Sequence, residues 1–251
     1  MTSRSRVHRW TGRGVPLAVV GALGAAVPLA AGTPATASTA PPSAAALVAE
    51  SSSAMAAAGS VSAVGSGTVA IPGEGNVVLA ESNYTAQTSG SESLKMTTAH
   101  GRSLASGSLR LVDGALFING NTGYWTNGAG LSSSQAAPLA GRWVEVPSSS
   151  PLFTQSAEDL TMSSFISDIF DGQTYHLGPV TSVRGVKAYR ITYTSTGNDA
   201  SGPTTAYLAV AGRHLLVSAS NSGLTLHFGP WGKARTVAAP TGAVPLPAGV
   251  G

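Results

Sequence analysis

The residues of this chain that could do chemistry are four histidines beyond its arginine-rich N-terminus, one adjacent carboxylate pair and an abundance of serine. His100, His176, His214 and His227 never fall at the close spacing that metal ligands on one element need, and neither H-E-x-x-H nor an Asp-rich calcium loop occurs. A metal site is therefore not expected. Serine is plentiful, but the strand-turn-helix signature G-x-S-x-G and the S-x-x-K pattern are both missing, so nothing marks one hydroxyl as an activated nucleophile. Glu158 and Asp159 are neighbours in sequence. Adjacent positions on a helix do not face each other, so the pair reads as the acidic first turn of a helix and not as a catalytic dyad. The chain has no cysteine, which removes disulfides, thiol catalysis and thiolate metal ligands together. The expectation is a non-enzymatic protein without a cofactor.

Aromatic residues are the more informative set. Tyr124, Trp125, Trp143, Phe153, Phe165, Phe170, Tyr189 and Tyr193, with Phe117 and Trp231, recur inside apolar strand and helix patterns. Rings so placed make either an ordinary core or the lining of an apolar cavity. The choice depends on the elements that carry them.

The first 37 residues read as an export signal. Arg4, Arg6, Arg9 and Arg13 precede an apolar run from Val15 to Ala31, and Ala35-Thr36-Ala37 supplies a small-x-small cleavage pattern. The mature chain is expected to start at Ser38, with residues 38–43 a Pro/Ala/Ser/Thr linker and no stable membrane anchor after cleavage; a retained N-terminal anchor is the alternative. Of the chain's 14 Lys and Arg, four leave with the signal, and the remaining ten face 11 Asp and Glu. On that balance no basic stripe is left to hold nucleic acid or an anionic membrane by charge.

Ala44 to Gly59 reads as one Ala-rich helix closed by glycine. From Ser60 the hydrophobic period becomes two. SVSAVGSGTVAI, GNVVLAESNYTAQT, SLKMTTA, SLRLV and ALFI are successive strands of an antiparallel meander, with Asp113-Gly114 a tight hairpin and Asn119-Gly120 and Asn127-Gly128 repeating that signal. Helical patterns interrupt the strands at Ser132 to Ala140 and Ser156 to Phe170. A second run of strands follows at Val180 to Val183, Val186 to Thr196, Thr204 to Val210, His214 to Asn221 and Leu224 to Phe228, and in VKAYRITYT the residues Tyr189, Ile191 and Tyr193 share one face. From Val237 the chain is a Pro/Gly/Ala-rich tail expected to fray. The fold class is α+β: a single highly curved antiparallel sheet of about 10–11 strands, a half-barrel with helices over its concave face, formed by residues 44–236 as one domain and monomer.

The segments LRLVDGALFINGNTGYWTN, PLAGRWVEVP, DLTMSSFISDIF, VRGVKAYRITYT and TTAYLAVAGRHLLVSA resemble the actinobacterial LppX/LprG-type envelope proteins, relatives of the LolA/LolB lipoprotein carriers. The resemblance spans about Ala44 to Val237. It implies a sheet wrapped over helices around a hydrophobic pocket for acyl chains of lipids or lipoglycans in the cell envelope. By position it makes Phe117, Trp125, Trp143, Phe165, Ile169, Tyr189 and Ile191 candidates to line that pocket. Many of those relatives carry an acylated cysteine after the signal, and this chain has none. The other reading left open is an extracytoplasmic interaction or sensor module without bound lipid. The direction in which the aromatics point separates the two.

Overall fold

The computed structural model describes residues 42–71, 74–157, 160–172, 174–194, 203–221, 223–248 and 250; the stretch read as an export signal, most of the expected linker, and Glu158 and Asp159 lie outside them. The first helix, α1 (Ala44–Ala58), starts where the Ser43 side chain accepts a hydrogen bond from the Ala46 amide at 3.1 Å. It stops at Gly59, whose φ of 72° is open to glycine at little cost and turns the chain out of the helix.

Eleven strands follow in two meanders. The first contains β1 (Ser60–Ile71), β2 (Gly75–Ala86), β3 (Gly90–Thr98), β4 (Ser103–Val112), β5 (Ala115–Gly120) and β6 (Trp143–Val146). The second contains β7 (His176–Val183), β8 (Val186–Thr194), β9 (Pro203–Ala209), β10 (Leu216–Asn221) and β11 (Leu224–Trp231). Antiparallel pairing of β1 with β11 joins them into one unclosed sheet in the order β6-β5-β4-β3-β2-β1-β11-β10-β9-β8-β7. The Asp113-Gly114 hairpin forms as expected, with φ of 50° and 79° at its two central residues, and Arg184-Gly185 repeats it between β7 and β8 with 51° and 83°.

A twelfth strand comes from the tail. Val244–Pro245 (β12) pairs in parallel with Val144 and Glu145, and the Leu246 amide donates to the Glu145 carbonyl at 2.9 Å. Upstream of it the Arg235 amide donates to the Tyr84 hydroxyl at 2.9 Å, and the Arg110 guanidinium donates to the Ala238 carbonyl at 3.0 Å. The stretch expected to fray is thus tied down, and it blunts the β6 edge.

Three further expectations are corrected. The helix expected over Ser156 to Phe170 is two short helices, α3 (Pro151–Ala157) and α4 (Met162–Ile169). Between them Thr161 forms a parallel bridge with Ala86, which turns that residue's backbone toward the sheet. Asn119-Gly120 and Asn127-Gly128 are not hairpin turns: Gly120 ends β5, and Tyr124–Gly128 is a π-helical turn. The helix expected from Ser132 to Ala140 shortens to α2 (Ser133–Ala136), opened by a reciprocal capping box between Ser132 and Gln135.

Strand alternation assigns the two faces of the sheet. Val77, Leu79, Leu94, Met96, Leu109, Leu111, Leu116, Ile118, Val144 and Val146 are buried on one face and pack into a single apolar cluster. Trp125 from the π-helical turn, Leu152 and Ala157 of α3, and Leu160 belong to the same cluster. A second cluster joins Leu47, Val48 and Met55 of α1 and Met162 and Phe165 of α4 to Val61, Ile191, Tyr193, Ala206, Leu208 and Leu216.

Candidate functional site

Four of the seven expected lining residues meet in the second cluster. Phe165 and Ile169 come from one stripe of α4, and Tyr189 and Ile191 from alternate positions of β8. Ile191 and Phe165 are buried; Ile169 and Tyr189 are half-buried at the rim, together with Ile166, Phe170 and Tyr175. Aromatic rings dominate the centre. Phe165 lies 5.6 Å from Phe228 and 6.4 Å from Trp231, and Tyr193 lies 5.3 Å from Tyr175 and 6.5 Å from Phe170.

The polar tips of these rings are tied to backbone carbonyls. The Tyr193 hydroxyl donates to the Ile169 carbonyl, the Tyr175 hydroxyl to that of Phe170 at 2.7 Å, and the Trp231 indole N–H to that of Leu216 at 2.9 Å. The rings therefore offer apolar surface to anything packed among them. Burial pushes the Tyr193 phenol well above its ordinary value, and Asp171 and then Tyr175 push it the same way; Tyr175 is raised by burial and then by Asp171. Both stay neutral hydrogen-bond donors, with no sign of a phenolate that could act as a base.

Trp125 is placed apart from those four. It is fully buried in the first cluster, and its indole nitrogen has no hydrogen-bond partner among the described residues. Its neighbour Tyr124 is held in a slot: Gly107 and Gly120 stand opposite each other across β4 and β5, and a Cβ on either would come within 2.4 or 2.5 Å of the Tyr124 ring. Asn121 starts this turn, its side-chain oxygen accepting from the amides of Tyr124 at 2.8 Å and Ser106 at 3.0 Å.

Phe117 and Trp143 fall on the other face of the sheet. Phe117 is opposite Arg110 and Glu145, and Trp143 is opposite Asn119, while Val144 and Val146 take the inward positions of β6. The Arg110 guanidinium stacks on the Trp143 ring at 4.7 Å and also reaches the tail. On that face neither meets the other candidates, and Trp143 supports the arginine that holds the C-terminal segment.

Two features were not anticipated. On the apolar face, β2 and β3 place Glu81, Asn83 and Glu92 along adjacent strands, with both glutamates buried, so that face is interrupted by polar groups. At the β7 edge, Leu177 pairs with Ile191 and Val180 with Tyr189, which puts both on the apolar face, yet they are 38% and 51% exposed. The sequence did carry the signal for the second feature, in the apolar positions of HLGPVTSV, but a bulge between Leu177 and Val180 breaks the simple alternation.

His214 and His227 are carried by different elements. His214 sits in the β9–β10 turn, its Nδ1 2.8 Å from the Ala209 carbonyl and its Nε2 3.5 Å from Glu50, with Tyr189 edge-on at 5.7 Å. His227 lies in β11 opposite Ser218 and Val64. Among the described residues no group of three His, Asp or Glu could hold a metal ion, and no helix is long and apolar enough to cross a membrane.

No family model matches the chain, and no curated protein matches it. Among solved structures it is similar to LprF from Mycobacterium bovis, with 13% identity, a TM-score of 0.45, and coverage of 78% of this chain and 96% of that one. It is similar also to the Mycobacterium tuberculosis lipoprotein LppX, with 16% identity, a TM-score of 0.41, and coverage of 77% and 98%. A LolA superfamily protein from Nitrosomonas europaea shares 10% identity at a TM-score of 0.28 over 79% of this chain and 96% of its own.

Proposed function

We propose that this chain is an exported, non-enzymatic protein that binds or carries a lipid or lipoglycan outside the cytoplasm by holding an acyl chain in the second apolar cluster. In this reading the sheet curves as a half-barrel and α1 and α4 cover its concave face, with Phe165, Ile169, Tyr189 and Ile191 lining the site. Leu177 and Val180 form its mouth.

The observation that carries the reading is the exposure of Leu177 and Val180 on the same face as buried Ile191 and half-buried Tyr189. A core that closed on itself would bury those two side chains. Here an apolar interior runs out to solvent along an open sheet edge, which suits a guest that is itself apolar. Transfer of apolar surface at about 25 cal/mol per Å² supplies the binding energy without a charged partner. No catalytic group and no cofactor take part.

Titration with a fluorescent fatty acid tests this. Saturable binding is expected, weakened about tenfold by Tyr189→Ser, which removes a lining ring at a half-buried position. Absence of saturable binding, or equal binding by the Tyr189→Ser variant, would overturn it.

A further inference from the structure

The near balance of charge in the mature chain conceals a segregation. Residues 38–171 hold four Lys and Arg and ten Asp and Glu, whereas residues 172–251 hold six Lys and Arg and one acid, Asp199, which is outside the described residues. Three of those six cations gather at one place in the fold. Arg184 forms the β7–β8 turn and Lys187 follows it, and the Val210 amide bonds to the Lys187 carbonyl at 2.9 Å, which sets the β9–β10 turn with Arg213 alongside. All three side chains are exposed and have no acidic partner among the described residues.

The same hairpin carries three of the five large hydrophobic residues that the described chain exposes: Leu177, Val180 and Val186, the last 41% exposed. Glu50, the acid nearest the β9–β10 turn, faces His214 at 3.5 Å, and Asp171 acts on Tyr175 and Tyr193 at the end of β8 away from the turn. Val186 adjoins the turn on one face and Val180 lies a few residues before it on the other, with cations that have no acidic partner among the described residues around them; this is a composition that anionic bilayers attract, charge drawing the tip to the headgroups and the valines burying below them.

We infer that the β7–β8 hairpin tip, with the adjoining β9–β10 turn, is a docking surface for an anionic lipid bilayer. Pairing of β7 with a second copy is disfavoured by the strand itself, because Pro179 lacks a donor and the bulge between Leu177 and Val180 breaks the ladder. Val180 lies on both the docking tip and the mouth of the apolar face, so a docked molecule has that mouth at the membrane. The sense of the contact, loading an acyl chain from a bilayer, rests on the acyl-binding reading; the contact itself does not.

The test is co-sedimentation of the full mature chain with phosphatidylcholine vesicles prepared with and without phosphatidylglycerol, beside fatty-acid titration of the same samples. Binding is expected only with phosphatidylglycerol, reduced by salt, and weakened about thirtyfold by Arg184→Glu with Lys187→Glu. Val186→Ser, on the face away from the pocket, is expected to weaken vesicle binding while fatty-acid binding stays unchanged in both variants. No vesicle binding by the parent chain would overturn the inference, as would binding indifferent to these substitutions. So would a stable dimer that Val186→Ser dissociates. If vesicles bind through Arg184 and Lys187 but fatty acid does not bind at all, the docking surface stands and the acyl-binding reading falls.

Discussion

Glycine at positions 107 and 120 decides the local architecture of the first apolar cluster, because the Tyr124 ring occupies the space their side chains would need. Gly107→Val is expected to destabilise by about 1–3 kcal/mol through overpacking, seen as a lower midpoint in urea with an unchanged slope. Thr85 makes the opposite prediction. It is fully buried on the apolar face, opposite Val61, and its hydroxyl has no partner among the described residues, so Thr85→Val is expected to raise stability by about 1 kcal/mol in thermal denaturation. Tyr193 and Tyr175 link stability to alkaline pH. Their folded pKa values lie above the unfolded value of 10.0, so the folded state keeps protons that the unfolded chain gives up. Their contribution is complete below pH of about 10 and is lost as pH rises toward the folded values. The melting temperature of the parent chain should fall across that range, and Tyr193→Phe should flatten the fall.

At the scale of elements, the strands were legible because alternation is a property of a few adjacent residues. Asp113-Gly114 was legible because only certain residues take positive φ cheaply. The failures have equally local causes. WVEV alternates, but four residues do not say which parity faces inward; the sheet buries Val144 and Val146 and leaves Trp143 to stack on Arg110. Gly120 resembled a turn glycine and is instead the floor of a slot, a fact set by a ring four residues away. The stripe from Leu160 to Phe170 had a correct apolar face, and Phe165 and Ile169 were found through it, but the break at Thr161 comes from a bridge to a strand distant in sequence. The tail gave no sign of docking because its attachments use backbone carbonyls and amides of poorly patterned residues. Deleting residues 243–251 uncovers the β6 edge, and is expected to lower the melting temperature and to produce concentration-dependent association in sedimentation velocity.

For the whole molecule, the order of strands does the organising. β6 and β7 are consecutive in sequence but stand near opposite ends of the sheet, so the segment between them must travel its full breadth. That segment carries α3, Leu160 and α4, which pack into the first cluster and then the second. Period and turn chemistry predict two meanders, but not that β1 and β11 would pair to make them one sheet. Only that pairing brings α1 and α4 together beside β8 and collects Phe165, Ile169, Tyr189 and Ile191. A ligand bound there stabilises the whole sheet: fatty acid at about a hundred times its dissociation constant is expected to add about 2.7 kcal/mol, read as a rise in melting temperature that Tyr189→Ser diminishes. The central claim is that this interior holds an amphiphile, and the most direct measurement is native mass spectrometry of the mature protein purified from a host that exports it. The predicted result is a population heavier than the bare chain by the mass of a lipid that organic extraction recovers. A spectrum of the bare chain alone, with no lipid in the extract, would contradict it.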